Sequence, residues 1–168
     1  SKHVVIRQLA QGVNVGLVPD GIAGIFRLSA SEEVVAVASR RGAARLAIEH
    51  GITINPGYLL GNTAAYKVWH DGTGVLERLS RALRVSLCLF WGRWGLPVPF
   101  RTPISFCFGE PIRPPPNENK EVPKGAAKPP VSKEAVEALH EQLLRETRRI
   151  YEATAPSYGW AARPLKFV

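Results

Sequence analysis

The residues best suited to acid–base chemistry in this 168-residue chain are its histidines, because imidazole titrates near neutral pH. There are four of them: His3, His50, His70 and His140. His70 and Asp71 are neighbours, so their side chains point in different directions in a strand and about 100° apart in a helix. His50 falls at the predicted end of a helix, and His140 midway along a predicted exposed helix face. We therefore predict no catalytic pair among them.

Common catalytic and metal-binding signatures are absent from the sequence. It contains no GxSxG, Walker A loop, GxGxxG or HExxH pattern. Cys88 and Cys107 are the only cysteines and lack the CxxC spacing, which argues against a zinc site and fits a reducing compartment. We expect no metal and no bound cofactor, and the sequence offers binding surfaces without a complete catalytic set.

The richest candidate binding segment is Arg40–Tyr66, which reads RRGAARLAIEHGITINPGYLLGNTAAY. Its apolar spacing predicts a short helix that ends at Gly51, followed by a strand over Ile52–Asn55 that Pro56-Gly57 ends. Ligands of α/β sheets gather beyond the carboxyl ends of strands. The residues predicted at that edge are Tyr58, Gly61, Asn62 and Tyr66. An ordinary helix and strand unit, with glycine caps and solvated arginines, explains the same spacing.

The elements before this segment are predicted to bring a second turn to the sheet. A helix over Lys2–Gln11, a strand over Val13–Val18 and a buried strand over Glu32–Ala38 fit the hydrophobic patterns. Between them, Pro19-Asp20-Gly21 breaks the chain sharply, because proline fixes φ and Asp-Gly favours a tight turn. This turn is either a substrate-binding edge or a plain hairpin.

The elements after Tyr66 supply basic faces. Val75–Leu87 has helical spacing with arginines on the other face, which fits core packing and also contact with a membrane surface. Ile104–Phe108 is predicted as a short strand, and Ser132 as the N-cap of a long amphipathic helix. The arginines of that helix are predicted near its carboxyl end, where they complement the helix dipole. They are Arg145, Arg148 and Arg149.

The charge of the chain favours anionic partners. It has 22 Lys and Arg against 14 Asp and Glu, a formal net charge of +8. Such a surplus attracts phosphates, anionic lipid headgroups or nucleic acid. Nucleic-acid binding ranks last, because no known reader motif is present. No run of about 18 apolar residues occurs, so the length criterion predicts no transmembrane helix.

Four blocks in order carry a family resemblance. They are Leu17-Val-Pro-Asp-Gly-Ile-Ala-Gly-Ile-Phe26, Arg40-Arg41-Gly42, Asn55-Pro-Gly-Tyr58 and Gly92-Arg93. With them the chain resembles the type-2 diacylglycerol acyltransferase family, from about Val13 to Pro116 and more weakly through the final helix. Two acidic family positions are neutral here: Gly24, in the family's Pro-Gly-Gly block, and Asn62.

The resemblance implies transfer of a fatty acyl group from acyl-CoA, as co-substrate, to a diacylglycerol or similar hydroxyl, at the cytosolic face of the endoplasmic reticulum membrane. A histidine of the family's His-Pro-His-Gly block is the expected general base. That block precedes the Pro-Gly-Gly block and has no counterpart here, so we expect a carboxyl-terminal half that is inactive alone. The alternative is a non-catalytic module that binds lipid or an anionic membrane surface.

The binding residues that the resemblance implies are drawn from the matched blocks. They are Pro19, Asp20, Gly21, Arg40, Arg41, Gly42, Pro56, Tyr58, Gly61, Tyr66, Gly92 and Arg93.

The predicted fold class is α/β, a central mixed sheet with flanking helices, glycerolipid-acyltransferase-like and incomplete. Residues 1–113 are predicted to form the partial core. A Pro- and Lys-rich surface loop is predicted over 114–131, and the amphipathic helix and tail of the same domain over 132–168. The sequence leaves open the acyl chain, the acceptor and the oligomeric state.

Overall fold

A computed structural model of the chain describes residues 2–20, 29, 31–69, 75–83, 90–115 and 131–168. Its helices are α1 (Lys2–Ala10), α2 (Gly42–His50), α3 (Val75–Leu83) and α4 (Lys133–Tyr158). Its strands are β1 (Glu33–Val35), β2 (Gly57–Leu60), β3 (Lys67–Val68), β4 (Phe90–Trp91), β5 (Ser105–Phe108) and β6 (Leu165–Phe167). Short 3-10 turns occupy Asn62–Ala64 and Arg93–Gly95.

The strands of the described residues form three separate two-stranded sheets. β1 and β6 are parallel, whereas the pairs β2–β5 and β3–β4 are antiparallel. The predicted mixed α/β content is confirmed, but the predicted central mixed sheet is wrong for this part of the chain. Each strand has only two to four residues. Helix α4, rather than a sheet, joins the elements together.

The predicted strand over Ile52–Asn55 is wrong, and the strand lies beyond the proline instead. Ile54 makes only an isolated bridge with Ile112, while β2 begins at Gly57, where a turn was predicted. Pro56 has no N–H to donate to a ladder, so the regular pairing starts after it. The carbonyl of Pro56 still accepts a hydrogen bond from the amide of Gly109 at 2.9 Å.

Of two further strand predictions, that over Val13–Val18 is wrong, and that over Glu32–Ala38 is confirmed only for Glu33–Val35, which pairs with β6. The predicted strand over Val13–Val18 has no ladder, and Val18 is 82% exposed. Strand β1 ends at Val35, because the residues after it form the turn that leads into α2. Ala36 and Val37 are buried in that turn. Hydrophobic alternation favours a strand only where a neighbouring strand can satisfy its backbone.

The helix predictions are confirmed more closely. Helix α2 ends at Gly51, which adopts a left-handed conformation with φ of 64°. The N-cap of α4 is Ser132, whose hydroxyl accepts a hydrogen bond from the amide of Ala135 at 3.2 Å. The helix runs to Tyr158, however, so the prediction that its arginines lie near the carboxyl end is wrong.

Two buried clusters form the core, and α4 contributes to both. The first is Ala44, Ala47, Ile48, Ile112, Val136 and Leu139. The second is Tyr58, Leu60, Ile150, Tyr151, Ala155 and Leu165. The long helix thus packs its first half against α2 and its second half against β2 and β6. The predicted surface loop falls mainly on residues 116–130, which lie outside the described residues.

Candidate functional site

The carboxylate of Glu33, at the start of β1, is a buried charge that is only 2% exposed. Its Oε2 accepts a hydrogen bond from the hydroxyl of Tyr58 at 2.9 Å, and its Oε1 accepts one from Thr63 at 2.7 Å. Arg163 Nη2 lies 2.6 Å from Oε1 and completes a buried ion pair. A buried charge needs such partners, since desolvation is otherwise costly.

Three different segments of the chain position the partners of Glu33. Tyr58 points inward because β2 alternates exposed and buried residues, and Thr63 lies on the 3-10 turn that follows. Arg163 precedes β6, and its guanidinium lies 4.4 Å from the centre of the Trp160 ring. It also donates to the carbonyl of Ser29 at 2.6 Å. The cluster therefore ties the amino-terminal strand to the carboxyl-terminal tail.

Burial keeps the tyrosines of this cluster protonated. The pKa of Tyr58 is raised far above its usual range, first by burial and then by the charge and the hydrogen bond of Glu33. Burial also raises the pKa of Tyr151, whose hydroxyl donates to the carbonyl of Arg163 at 2.6 Å. Tyr58 thus acts as a hydrogen-bond donor, and neither tyrosine can serve as a base at neutral pH.

Sequence reasoning singled out Tyr58 but missed its charged partners. Glu33 lies in the run EEVVAVA, which was predicted as a buried strand. An acidic residue inside such a run signals a buried partner of opposite charge. No comparable local signal marks Arg163, which is 130 positions further along the chain.

Arg41 is held by an ion pair at the start of α2. Its Nε and Nη2 donate to the two carboxylate oxygens of Glu137 at 2.9 and 2.6 Å, and its Nη1 donates to the carbonyl of Ala38. This bidentate pair joins α2 to α4. Arg40 is exposed, and Gly42 opens the helix with free space where a side chain would project.

The prediction that His140 lies on an exposed face is wrong. The side chain is 2% exposed on α4, and its Nε2 lies 3.2 Å from the carbonyl oxygen of Ala38. Because a carbonyl only accepts, Nε2 carries the proton, and Nδ1 has no partner among the described residues. His3 is exposed on α1 and His50 ends α2, whereas His70 lies outside the described residues.

Gly61 lies at a point where the backbone has no room for a side chain. It adopts φ of 91°, and a Cβ there would lie 2.1 Å from the carbonyl oxygen of Pro103 and 2.2 Å from the Tyr158 hydroxyl. That hydroxyl itself donates to the Pro103 carbonyl. Gly61 therefore allows β2 to approach the segment before β5 and the end of α4.

The predicted residues Tyr66, Gly92 and Arg93 belong to a second region, around the β3–β4 pair. The rings of Tyr66 and Phe90 meet edge to face with centroids 5.2 Å apart. A Cβ on Gly92 would lie 1.8 Å from the Val98 carbonyl oxygen. The structure thus distributes the predicted residues over three places: the Glu33 cluster, the start of α2 and this aromatic region.

The remaining predicted residues are Pro19, Asp20, Gly21 and Pro56. Pro19 is exposed and Asp20 partly buried in a turn, and Gly21 lies outside the described residues. Pro56 is buried beside β2. Within the described ranges, no group of three or more His, Cys, Asp and Glu side chains could hold a metal ion. Of the helices seen there, none combines the length and apolar character that crossing a bilayer requires.

A sequence profile of the diacylglycerol acyltransferase family matches residues 1–162. The chain belongs to this family. Among its relatives, diacylglycerol O-acyltransferase 2 of Xenopus tropicalis is 26% identical over 167 residues, which cover 92% of the chain and 43% of the relative. For acyl-CoA wax alcohol acyltransferase 2 of Mus musculus the identity is 24% over 171 residues, which cover 95% and 47%.

Human 2-acylglycerol O-acyltransferase 3 is 31% identical over 93 residues, which cover 48% of the chain and 27% of the relative. The chain thus spans less than half the length of these curated members of the diacylglycerol acyltransferase family. No solved structure matches it.

In this diacylglycerol acyltransferase family member, the segment Glu110–Ile112 after β5 lines a cleft of about 230 Å³ against α4. The cleft residues Glu110 and Ile112 face Arg145, Glu146 and Arg149 of the helix. Glu146 accepts hydrogen bonds from the amide of Glu110 at 2.9 Å and from Arg149 at 2.6 and 2.8 Å. This carboxylate therefore connects the segment after β5 to α4.

Acid should weaken the connection through Glu146. The hydrogen bond from Arg149, followed by that from the Glu110 amide, lowers the pKa of Glu146 from 4.5 to about 2. Because the folded state binds this proton less readily than the unfolded state, the stabilisation is present above about pH 4.5 and is lost as the pH falls towards 2. Between pH 5 and pH 2, the free energy of unfolding measured by urea titration should therefore fall less for Glu146→Gln than for the unmodified chain.

Glu152→Gln is the matched control, because Glu152 lies 4.0 Å from Arg148 on the same helix with both side chains largely exposed. An acid dependence of Glu146→Gln identical to that of the unmodified chain would contradict the prediction.

Proposed function

We propose that the protein to which this chain belongs is an O-acyltransferase that moves a fatty acyl group from acyl-CoA to the hydroxyl of a diacylglycerol or related acceptor. We place it at the cytosolic face of the endoplasmic reticulum membrane. The observation that carries the proposal is the family match over residues 1–162. The names of the relatives include diacylglycerol, 2-acylglycerol and wax alcohol acyltransferases, so the shared chemistry is transfer of an acyl group to an alcohol.

The reaction needs a base that removes the proton of the acceptor hydroxyl as its oxygen attacks the thioester carbonyl, with the CoA thiolate as leaving group. Tyr58 stays protonated, and His140 is buried between α4 and the turn before α2, so neither of these two side chains fits that role. We infer that these residues bind and position substrates, and that the base is a histidine of the family's His-Pro-His-Gly block.

The binding role falls to the residues of the matched blocks. Arg40 offers an exposed cation at the start of α2, suited to the phosphates of CoA, whereas Arg41 is already paired with Glu137. The segment from Pro56 to Tyr66 forms the proposed wall of the acceptor site, fixed from behind by the Glu33 cluster. The net charge of +8 favours approach to both CoA and an anionic lipid surface.

A second candidate function is a non-catalytic module that binds lipid or an anionic membrane surface. It is favoured by the neutral residues Gly24 and Asn62 at acidic family positions and by the exposed apolar residues of α3. Val75, Leu79 and Leu83 are 45–59% exposed and lie one helical turn apart.

Labelled acyl-CoA separates the two functions. The 168-residue chain is incubated with acyl-CoA and with diacylglycerol, monoacylglycerol or a long-chain alcohol in vesicles, and binding and product are measured separately. We expect saturable acyl-CoA binding that Arg40→Gln weakens, and no turnover. Turnover that survives substitution of His50, His70 and His140 would contradict the inference that the base lies in another block. Vesicle binding without acyl-CoA binding would favour the second function.

A further inference from the structure

We propose that the loop Gly92–Val98 is a membrane-insertion loop, which places the indole of Trp94 in the interface of a bilayer that contains anionic phospholipid. The proposal rests on the membrane location given in the proposed function and names the part of the surface that makes the contact. Three independent observations carry it: exposure, backbone conformation and charge.

The loop exposes large apolar side chains at its tip. Trp94 is 74% exposed, Leu96 54% and Val98 37%. Tryptophan is the side chain that favours the boundary between water and lipid, because its ring is apolar and its indole N–H still finds a polar partner there. Three such residues within five positions leave an apolar tip that no described element covers.

The backbone holds Trp94 in a conformation that does not suit it. With φ of 58°, Trp94 is the one residue other than glycine with positive φ among the described ranges. Bulky side chains rarely adopt this region, and its cost is tolerated mainly at functional positions. Burial of the indole does not offset this cost, because the side chain faces solvent.

Hydrogen bonds fix the loop on both sides of Trp94. The amide of Gly92 donates to the Leu96 carbonyl at 2.8 Å, and the amide of Arg93 donates to the Val98 carbonyl at 2.8 Å. A third bond runs from the Leu96 amide to the Arg93 carbonyl at 3.1 Å. The loop therefore presents the indole rigidly, and little conformational entropy remains to be lost on insertion.

The charge around the loop selects an anionic surface. The guanidinium of Arg93 lies 4.2 Å from the centre of the Trp94 ring, so a cation accompanies the indole. The sequence from position 78 to position 109 contains five arginines and no acidic residue. Anionic headgroups attract such a segment, because each basic residue that reaches the surface meets a negative surface potential. A protein partner is the less suitable occupant, because basic residues of such a partner would find no acidic residue to pair with in positions 78–109.

The test is sedimentation of the 168-residue chain with vesicles of phosphatidylcholine alone or mixed with phosphatidylserine. We expect binding to the mixed vesicles, with quenching of tryptophan fluorescence by brominated lipid. Trp94→Gly should weaken binding roughly ten- to a hundred-fold, as for removal of one large buried apolar side chain. Its melting temperature should stay the same or rise, because glycine suits positive φ.

Two further variants complete the design. Arg93→Gln should weaken binding to mixed vesicles but not to phosphatidylcholine alone. Val18→Ser is the matched control, because Val18 is 82% exposed outside the loop, and it should leave binding unchanged. Equal binding of Trp94→Gly and the unmodified chain would overturn the proposal. So would a lower melting temperature of Trp94→Gly, or self-association that depends on Trp94. The assay uses no acyl-CoA, so its outcome is independent of acyltransfer.

Discussion

Replacing Glu33 by glutamine is expected to lower the free energy of unfolding by about 3–5 kcal/mol, the usual cost of removing one partner from a buried ion pair. The carboxylate is 2% exposed, and its partner Arg163 has a side chain that is 14% exposed. In Glu33→Gln only one of Tyr58 and Thr63 keeps an oxygen acceptor, because the amide replaces the other carboxylate oxygen by an NH2 donor, and the guanidinium loses its counter-charge. The loss is a large share of the ~5–15 kcal/mol that stabilises a typical domain. Urea unfolding followed by circular dichroism measures it.

The neighbouring residue supplies the control for this prediction. Glu32 pairs with Lys166 at 2.5 Å, but that lysine side chain is 57% exposed, so Glu32→Gln should cost about 1 kcal/mol or less. Combining Glu33→Gln with Arg163→Met should recover part of the loss, because no unpaired cation remains. If Glu33→Gln and Glu32→Gln cost the same, the buried ion pair does not hold β1 to the carboxyl-terminal tail.

Gly61→Ala is the second substitution with a large expected effect. We expect it to lower the free energy of unfolding by about 2–4 kcal/mol. Part of this is the left-handed backbone at φ of 91°, which costs about 1–2 kcal/mol for a residue with Cβ. The rest is overlap of the new methyl group with the carbonyl of Pro103, 2.1 Å away, which requires the backbone to shift. The Tyr158 hydroxyl would also have to move. The shift in the midpoint of urea unfolding measures the combined loss of stability from these effects.

Two other glycines separate the cost of the left-handed backbone from the cost of the steric overlap. Gly12 has φ of 74° and nothing within 4 Å of a Cβ, so Gly12→Ala should show the cost of the backbone conformation alone. Gly42 opens α2 with the same free space and no positive φ, so Gly42→Ala should be neutral or slightly stabilising. If Gly61→Ala lowers the free energy of unfolding no more than Gly12→Ala does, the backbone around Pro103 shifts at little cost to accommodate the methyl group.

Helices were predicted well because their signals are local. The N-cap at Ser132, the left-handed stop at Gly51 and the apolar periodicity of α4 each depend on a few neighbouring residues. Strand predictions held only where a partner strand exists: Ile104–Phe108 is confirmed by β5 and Glu32–Ala38 in part by β1. Val13–Val18 has the right pattern and no ladder, whereas Gly57–Leu60 looked like a turn and pairs with β5.

The sequence by itself determined the family and the positions of the helices, and it predicts anionic partners and the candidate binding residues. Only the tertiary structure decided which of those residues act together. Tyr58 joins Glu33 and Arg163 because β1, β2 and the carboxyl-terminal tail meet on α4, and His140 is buried because α4 packs against the turn before α2. The physical reason is that charge pairing and burial depend on contacts between residues up to 134 positions apart, which local patterns do not encode.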